Sequence, residues 1–233
     1  MSNIQIICFT YAGGNKHFYD VFDDDLSEFE LVKMEYAGHG DRYKEEYYQS
    51  IDELADDMFQ RLCDIIKGDY ALFGYSMGSV ALVEVLKRII ISGIEPPIHV
   101  FLAAHEPFTQ TELLKLAGDE LDRWVKNRTI EYGGVPDKLM NNEVFWRTYL
   151  PMFRADYTII GKYRFEELDM RTKTPATVFY SEEDTPLDDM KHWEEYFIDE
   201  CSFCEYDGTH FFIQGHHEEM ADVIKDRINR SKR

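Results

Sequence analysis

The sequence GYSMG at residues 74–78 places a serine between two glycines, a spacing that can present a nucleophile. It follows an apolar run at 70–73 and precedes a helical pattern at 79–91. A strand-to-helix turn this tight leaves no room for flanking side chains, so glycine is needed on both sides. Such a nucleophile elbow would lift the Ser76 hydroxyl clear of the sheet. A serine that merely caps a helix is the alternative, and it leaves the paired glycines unexplained.

A serine hydroxyl becomes a useful nucleophile only when a base takes its proton and an acid orients that base. In a fold built on this elbow, the chain order is serine, acid, histidine. Of the eight histidines, His210 stands in DGTHFF at 207–212, between the last predicted strand and the last predicted helix. His216 and His217 come at the start of that helix and indicate a surface or capping pair. We therefore predict that His210 is the base.

The acid is expected just after the strand that ends at Tyr180, where three carboxylates follow one another. Asp184 precedes Thr-Pro, a turn that could hold its carboxylate still. Glu182 and Glu183 are more typical of a charged loop face. From these residues alone Asp184 is preferred, with the two glutamates as alternatives.

A tetrahedral oxyanion needs two backbone N–H donors. One is expected from Met77, the residue after the serine, and the other from the loop TYAGG at 10–14, which follows the first predicted strand. We choose Ala12 for the second donor, with Tyr11 and Gly13 as neighbouring alternatives. A plain glycine turn that opens a helix is the other interpretation of this loop.

The elements that must position these residues alternate along the chain. Short apolar runs are followed by amphipathic segments, which predicts a parallel sheet covered by helices on both faces. The apolar runs include 176–180, and the segments predicted to be helical include 17–26, 187–199 and 216–230. Residues 107–164 break this rhythm, since they are helical in pattern and rich in aromatic residues. The predicted fold class is α/β of the α/β-hydrolase type, with a mostly parallel central sheet. Its core comprises 1–106 and 165–233, and 107–164, here called the lid segment, is inserted as a helical lid.

Composition bounds the functions that such a chain can have. The 233 residues fit one domain, and 25 basic against 45 acidic residues give a net charge of −20, which disfavours nucleic acid as a partner. No apolar run reaches the roughly 20 residues of a membrane span, and no signal peptide is evident, so we expect a cytoplasmic protein. The four cysteines predict no disulfide framework. Cys201 and Cys204 are expected to be ordinary strand and loop residues and not a metal or redox motif.

Several motifs resemble those of the type II thioesterases, the stand-alone editing hydrolases of nonribosomal peptide and polyketide synthesis. The sequence CFTYAGG at 8–14 is similar to the family's C-F-P-x-A-G-G, and LFGYSMG at 72–78 to its L-F-G-H-S-M-G. YAGHGDR at 36–42 resembles P-G-R-G-E-R, LPMFRADY at 150–157 resembles L-P-x-x-R-A-D-[FY], and DGTHFF resembles G-G-H-F-F. These motifs span most of the chain and keep the family's order.

The resemblance implies a nucleophile, acid and base at Ser76, Asp184 and His210, and so favours Asp184 over its two neighbours. It also implies an α/β-hydrolase fold with a lid over an acyl chamber. The substrate would be an acyl group on the phosphopantetheine arm of a carrier protein, and no metal or diffusible cofactor is required. A monomer is expected. An esterase or acyltransferase, or a carrier-binding module without catalysis, are the alternatives.

The chain departs from the family pattern at four positions. Thr10 stands where proline is usual, Tyr75 where histidine is usual, His39 where arginine is usual, and Thr209 where a second glycine is frequent. These changes could reshape the mouth of the chamber.

The lid segment also carries residues that could recognise a partner. Three aromatic residues could be exposed there, with packing inside the lid as the equal alternative: Trp124, Trp146 and Tyr149. Four basic residues in or beside the segment could form a basic patch, with solvated surface charge as the alternative for each one: Arg147, Arg154, Lys162 and Arg164.

Overall fold

Six parallel strands form one sheet in the computed structural model, which describes residues 4–108 and 115–231. The strands are β1 (Gln5–Phe9), β2 (Glu30–Lys33), β3 (Tyr70–Tyr75), β4 (His99–Ala103), β5 (Ala176–Tyr180) and β6 (Cys201–Glu205). Their order in the sheet is β2-β1-β3-β4-β5-β6. Every residue of the four central strands is buried, as expected for a parallel sheet with both faces covered. The α/β class and the parallel sheet are thus confirmed.

Six α-helices lie in the described ranges: α1 (Ile51–Ile65), α2 (Met77–Ser92), α3 (Gly118–Glu131), α4 (Glu143–Lys162), α5 (Leu187–Met190) and α6 (Ile213–Ser231). The apolar sides of α1 and α2 cover one face of the sheet, and those of α6 and of a 3₁₀ helix at Lys16–Phe22 cover the other. None of the helices in the described part of the chain combines the length and apolarity that a membrane crossing needs.

The prediction of helix type was wrong at two places. The helix expected at 17–26 is the 3₁₀ helix Lys16–Phe22, and the one expected at 187–199 is the short α5 followed by a 3₁₀ turn, Lys191–Glu195. Both segments are short, and short helices gain little from cooperative hydrogen bonding. Helix α6 begins three residues earlier than expected and has a kink at His216, where φ is −129° and ψ is 16°.

The two cysteines of the C-x-x-C sequence lie on opposite sides of β6. Cys201 packs with the residues under α1 and α2, whereas Cys204 packs with those under α6. Side chains three residues apart on a strand point in opposite directions, so the pair cannot chelate one metal ion. The four cysteines are free thiols.

The lid segment has a small core of its own. Side chains of α3 and α4 meet in a cluster built on Val125, Trp146, Phe153 and Tyr157, separate from the clusters on the two sheet faces. Trp146 is therefore buried and Trp124 is partly buried, as the packing alternative predicts, whereas Tyr149 is exposed. The end of α4 belongs to the main core, because Ile159 and Ile160 pack with the residues over the sheet. Pro151 lies between the first turns of α4 and this anchored end.

The first turn of α2 approaches the end of β1 so closely that only glycine fits there. A Cβ atom added to Gly78 would lie 1.9 Å from the carbonyl oxygen of Phe9, a backbone atom that has no rotamer to adopt. This contact sets the distance between α2 and the sheet.

We expect Gly78→Ala to lower the free energy of unfolding by more than about 2 kcal/mol, because backbone must move to admit one methyl group. The free energy of unfolding is measured by urea denaturation. Gly215→Ala is the matched control, since a Cβ atom there meets nothing within 4 Å. Its effect should stay within about 1 kcal/mol. Equal effects of the two substitutions would contradict the assignment of this contact.

Candidate active site

Ser76 occupies a strained turn between β3 and α2. Its φ of 54° and ψ of −120° lie outside the usual regions for a residue with a side chain, at a typical cost of about 1–3 kcal/mol. The neighbouring structure holds it there, since the Ser76 N–H donates to the carbonyl oxygen of Ala103 at 2.8 Å. A Cβ atom on Gly74 would come within 2.4 Å of the Gly78 carbonyl oxygen. The glycine spacing in the sequence therefore has the steric cause that we expected.

His210 bridges Ser76 and Asp184. Its Nε2 lies 2.9 Å from the Ser76 Oγ, and its Nδ1 lies 3.0 Å from each carboxylate oxygen of Asp184. Because a carboxylate can only accept, Nδ1 carries the proton and Nε2 is left to accept from the serine hydroxyl. The His210 and Asp184 side chains are each 6% exposed, so water screens these contacts little. The structure thus brings the three sequence-predicted residues together in the order that proton transfer requires.

The loops after β5 and β6 are tied to each other and to the elbow. The Ser181 hydroxyl donates to the Gly208 carbonyl oxygen, and the Asp184 N–H donates to the Ser181 carbonyl oxygen at 3.0 Å. The Tyr75 hydroxyl donates to the carbonyl oxygen of His210 at 2.7 Å. Tyr75, which departs from the family pattern, is thus buried below His210 and does not line the chamber mouth.

The alternative acids and bases lie elsewhere. Glu182 and Glu183 are exposed, and the Glu182 carboxylate accepts from the Leu187 N–H at 3.0 Å. His216 lies 3.1 Å from Glu219, and His217 lies 3.9 Å from Asp25. These contacts place the two glutamates in a surface loop and the two histidines on the surface of α6.

Met77 and Ala12 are the two backbone donors that the sequence predicts for an oxyanion. Met77 is the first residue of α2, and first-turn amides have no acceptor within their own helix. Ala12 lies in the cavity beside Ser76. The Gly13 N–H is already engaged, because it donates to the Asp156 carboxylate at 2.6 Å. That bond weakens Gly13 as the alternative donor and leaves Ala12 and Tyr11.

The cavity beside Ser76 is small, about 40 Å³, and α4 and the end of α3 form its roof. Phe153, Tyr157 and Ile160 make the roof apolar, whereas His105 and Glu106 add polar groups on the opposite side. Burial lowers the pKa of His105, so this second imidazole stays neutral in the physiological range.

Tyr132 covers one face of the His210 imidazole, and sequence reasoning did not find it. The two rings stack with centroids 4.0 Å apart and planes 19° from parallel. Arg128 lies over the same tyrosine ring at 4.1 Å and donates to its hydroxyl at 2.5 Å. The stacked Tyr132 ring therefore packs against the imidazole and limits its rotation. Nothing in the spacing of Tyr132 relative to His210 could have indicated the contact.

Within residues 4–108 and 115–231, no group of three or more His, Cys, Asp or Glu side chains is arranged to hold a metal ion. The arrangement of a serine, a histidine and an aspartate can act by itself, since it supplies a nucleophile, a base and an orienting acid.

Comparison with known proteins identifies the family. A model of the thioesterase domain family matches residues 4–228. The gramicidin S biosynthesis protein GrsT of Aneurinibacillus migulanus is 22% identical over 230 residues, which are 96% of this chain and 88% of that protein. The medium-chain S-acyl fatty acid synthase thioesterase of Rattus norvegicus is 26% identical over 215 residues, 90% of this chain and 81% of that protein.

A solved structure shows the same fold. ClbQ, from the colibactin NRPS/PKS pathway, superposes with a TM-score of 0.88 at 23% identity, over 99% of this chain and 98% of that chain. The α/β-hydrolase fold that the motifs implied is therefore confirmed.

We expect Asp184→Asn to slow the reaction of Ser76 with a fluorophosphonate by about 10³-fold to 10⁴-fold, because an amide in this place no longer fixes the His210 tautomer. The slowing is measured as the second-order rate constant for labelling of Ser76. Glu183→Gln is the control, since it also removes one negative charge from the same loop, and its rate should stay within about twofold. If Glu183→Gln slowed labelling more than Asp184→Asn, the acid would be the neighbouring residue.

Proposed function

Because the chain belongs to the thioesterase domain family, we propose that it hydrolyses acyl groups carried on the phosphopantetheine arm of carrier proteins in nonribosomal peptide or polyketide synthesis. The observation that carries the chemical part is the His210 bridge between Ser76 and Asp184 in a buried cavity. The biosynthetic part is supported by relatives named for gramicidin S and colibactin biosynthesis.

The proposed reaction begins when His210 takes the proton of Ser76 as the Oγ attacks the thioester carbonyl carbon. The negative charge on the carbonyl oxygen is then stabilised by the N–H groups of Met77 and Ala12. Asp184 holds the imidazolium in place. The tetrahedral intermediate collapses with release of the pantetheine thiol, which takes the proton from His210, and an acyl-serine remains.

The second half repeats these steps with water in place of serine. His210 takes a proton from the water that attacks the acyl-serine, and returns it to the Ser76 Oγ as the acid departs. A thiolate is a good leaving group, so hydrolysis of the acyl-serine is the harder step. No metal ion or diffusible cofactor takes part in this scheme.

We propose that the lid segment controls access to Ser76. Its side chains roof the cavity, and Ser76 is only 9% exposed. An acyl thioester therefore reaches the hydroxyl only past residues such as Phe153 and Tyr132. The separate core between α3 and α4 supports this role, because it keeps the roof residues packed together as one unit.

Two other functions use the same scaffold. An esterase or acyltransferase needs the same three residues, since the fold does not select the leaving group. A carrier-binding module without catalysis would not need the strained Ser76 or its contact with His210. Rates for matched oxygen esters and thioesters separate the first alternative, and labelling of Ser76 excludes the second.

We expect Ser76→Ala to lower the hydrolysis of acyl-coenzyme A by at least about 10⁴-fold, because the nucleophile is removed. The rate of hydrolysis is measured as the amount of thiol released per minute. Alanine is small enough for the elbow, so the melting temperature should not fall. More than a tenth of the wild-type rate in a folded variant would refute the proposed nucleophile.

We also expect a higher kcat/KM for an acyl group on a carrier protein than for the same group on coenzyme A. Carrier proteins are generally acidic and this chain has a charge of −20, so recognition must be local. The predicted basic patch is smaller than we expected, since Arg154 pairs with Asp122 at 3.0 Å and Arg164 donates to carbonyl oxygens of its own turn. Arg147 and Lys162 are exposed on α4 and remain the candidates.

Reversing the charge of Arg147 and Lys162 to glutamate should lower kcat/KM for the carrier at least about fivefold and leave coenzyme A substrates unchanged. The control for total charge is the double variant Lys67→Glu with Arg230→Glu, since both residues are exposed, lie outside the lid segment and change the net charge by the same amount. No preference for the carrier, together with faster hydrolysis when salt is added, would refute both the patch and the carrier as substrate.

A further inference from the structure

A buried ion pair connects the lid segment to the loop that follows β2. His39 Nε2 lies 2.9 Å from the Asp156 carboxylate, and both side chains are less than 5% exposed. The same carboxylate oxygen accepts from the Gly13 N–H at 2.6 Å. Three distant parts of the chain therefore meet at one oxygen atom.

The contacts fix the charge of His39. Its Nδ1 lies 2.9 Å from the carbonyl oxygen of Ala37, and its Nε2 faces the Asp156 carboxylate. Both partners can only accept, so both ring nitrogens must carry hydrogen atoms. His39 is thus held as an imidazolium ion that neutralises Asp156.

Asp156 holds the residue next to the proposed oxyanion donor. Gly13 follows Ala12 directly, so the position of the Gly13 N–H constrains the peptide plane between them. The rest of this loop is fixed from the sheet side, where the Tyr36 hydroxyl donates to the Thr10 carbonyl oxygen at 3.1 Å. Asp156 supplies the constraint from the opposite side, because it comes from α4.

We propose that His39 and Asp156 are positioning residues that hold the Ala12 N–H in the oxyanion hole, and that the hold weakens when His39 loses its proton. This inference rests on the proposed function only for the use of that N–H in hydrolysis. The residue at position 39 makes the hold sensitive to pH, whereas an arginine there would keep its charge throughout.

The groups around His39 favour its charged form. Burial disfavours the imidazolium, but attraction to Asp156, the hydrogen bonds to Asp156 and Ala37, and the charge of Glu35 outweigh it and raise the pKa of His39 above its ordinary value. The rings of Tyr36 and Tyr47 also contact the imidazole. Burial raises the pKa of both tyrosines, so they stay neutral while His39 titrates.

The sign of the pH effect follows from this direction. A histidine whose pKa is raised on folding contributes stability below its unfolded pKa, and that contribution is lost as pH rises through the folded value. Turnover and stability should therefore both fall as pH rises through the folded pKa of His39, which lies above its ordinary value. The loss in rate comes from a misplaced donor, and removal of an oxyanion donor costs about 10²-fold to 10³-fold in other enzymes.

The test compares wild type with His39→Arg, Asp156→Asn and the control His192→Arg, which makes the same exchange at an exposed histidine. Acyl-coenzyme A hydrolysis and fluorophosphonate labelling of Ser76 are each followed from about pH 6 to about pH 10. Each profile is normalised to its own maximum. The rates of wild type and His192→Arg should fall at least about fivefold from their maxima as pH rises, whereas the rates of His39→Arg should not. Asp156→Asn should lower kcat at least about tenfold with little change in KM.

Two outcomes would overturn the inference: an alkaline fall in His39→Arg equal to that of wild type, or an undiminished kcat in Asp156→Asn. Labelling separates this result from the proposed function. Failure of wild type to hydrolyse thioesters, with labelling profiles as expected, refutes the proposed function and supports the positioning role. Thioester hydrolysis by wild type, together with an unchanged alkaline fall in His39→Arg, supports the proposed function and refutes the positioning role.

Discussion

The contact between Gly78 and the Phe9 carbonyl oxygen is the constraint on which the rest of the site depends. It brings the first turn of α2 against the end of β1, so the serine at the start of α2 and the loop that leaves β1 become neighbours. Ser76, Met77 and Ala12 are then close without any long side chain to bridge them. The strain at Ser76 is tolerated because backbone hydrogen bonds and close packing surround the turn.

Sequence predicted the elements whose residues are constrained locally. The strand Ala176–Tyr180 has the predicted bounds, because a strand buried on both faces is a continuous apolar run that ends where polar residues begin. Ser76 and His210 could be placed for a similar reason, since their motifs adjoin such strands. Asp184 needed the family pattern, because three carboxylates in a row have the same local sequence context.

The contacts that sequence reasoning missed join residues far apart in the chain. Tyr132 stacks on a histidine 78 positions later, and Asp156 bonds to Gly13, 143 positions earlier. Each depends on how α3 and α4 lie over the sheet, and the amphipathic pattern of a helix fixes its buried side but not its angle to a neighbour. The burial of His39 was missed likewise, since a histidine beside glycines is typical of an exposed turn.

Pro151 makes α4 easier to bend at one point than elsewhere along its length. The ring nitrogen carries no hydrogen, so the helix lacks one rung of its hydrogen-bond ladder at this point. On the C-terminal side, Asp156, Ile159 and Ile160 clamp the helix to the loop at Gly13 and to the main core. On the N-terminal side, Phe145, Trp146 and Leu150 pack in the separate cluster with α3. We therefore expect α4 to bend most easily at Pro151, next to the roof of the cavity, so that its outer turns can move with little displacement of the loop at Gly13.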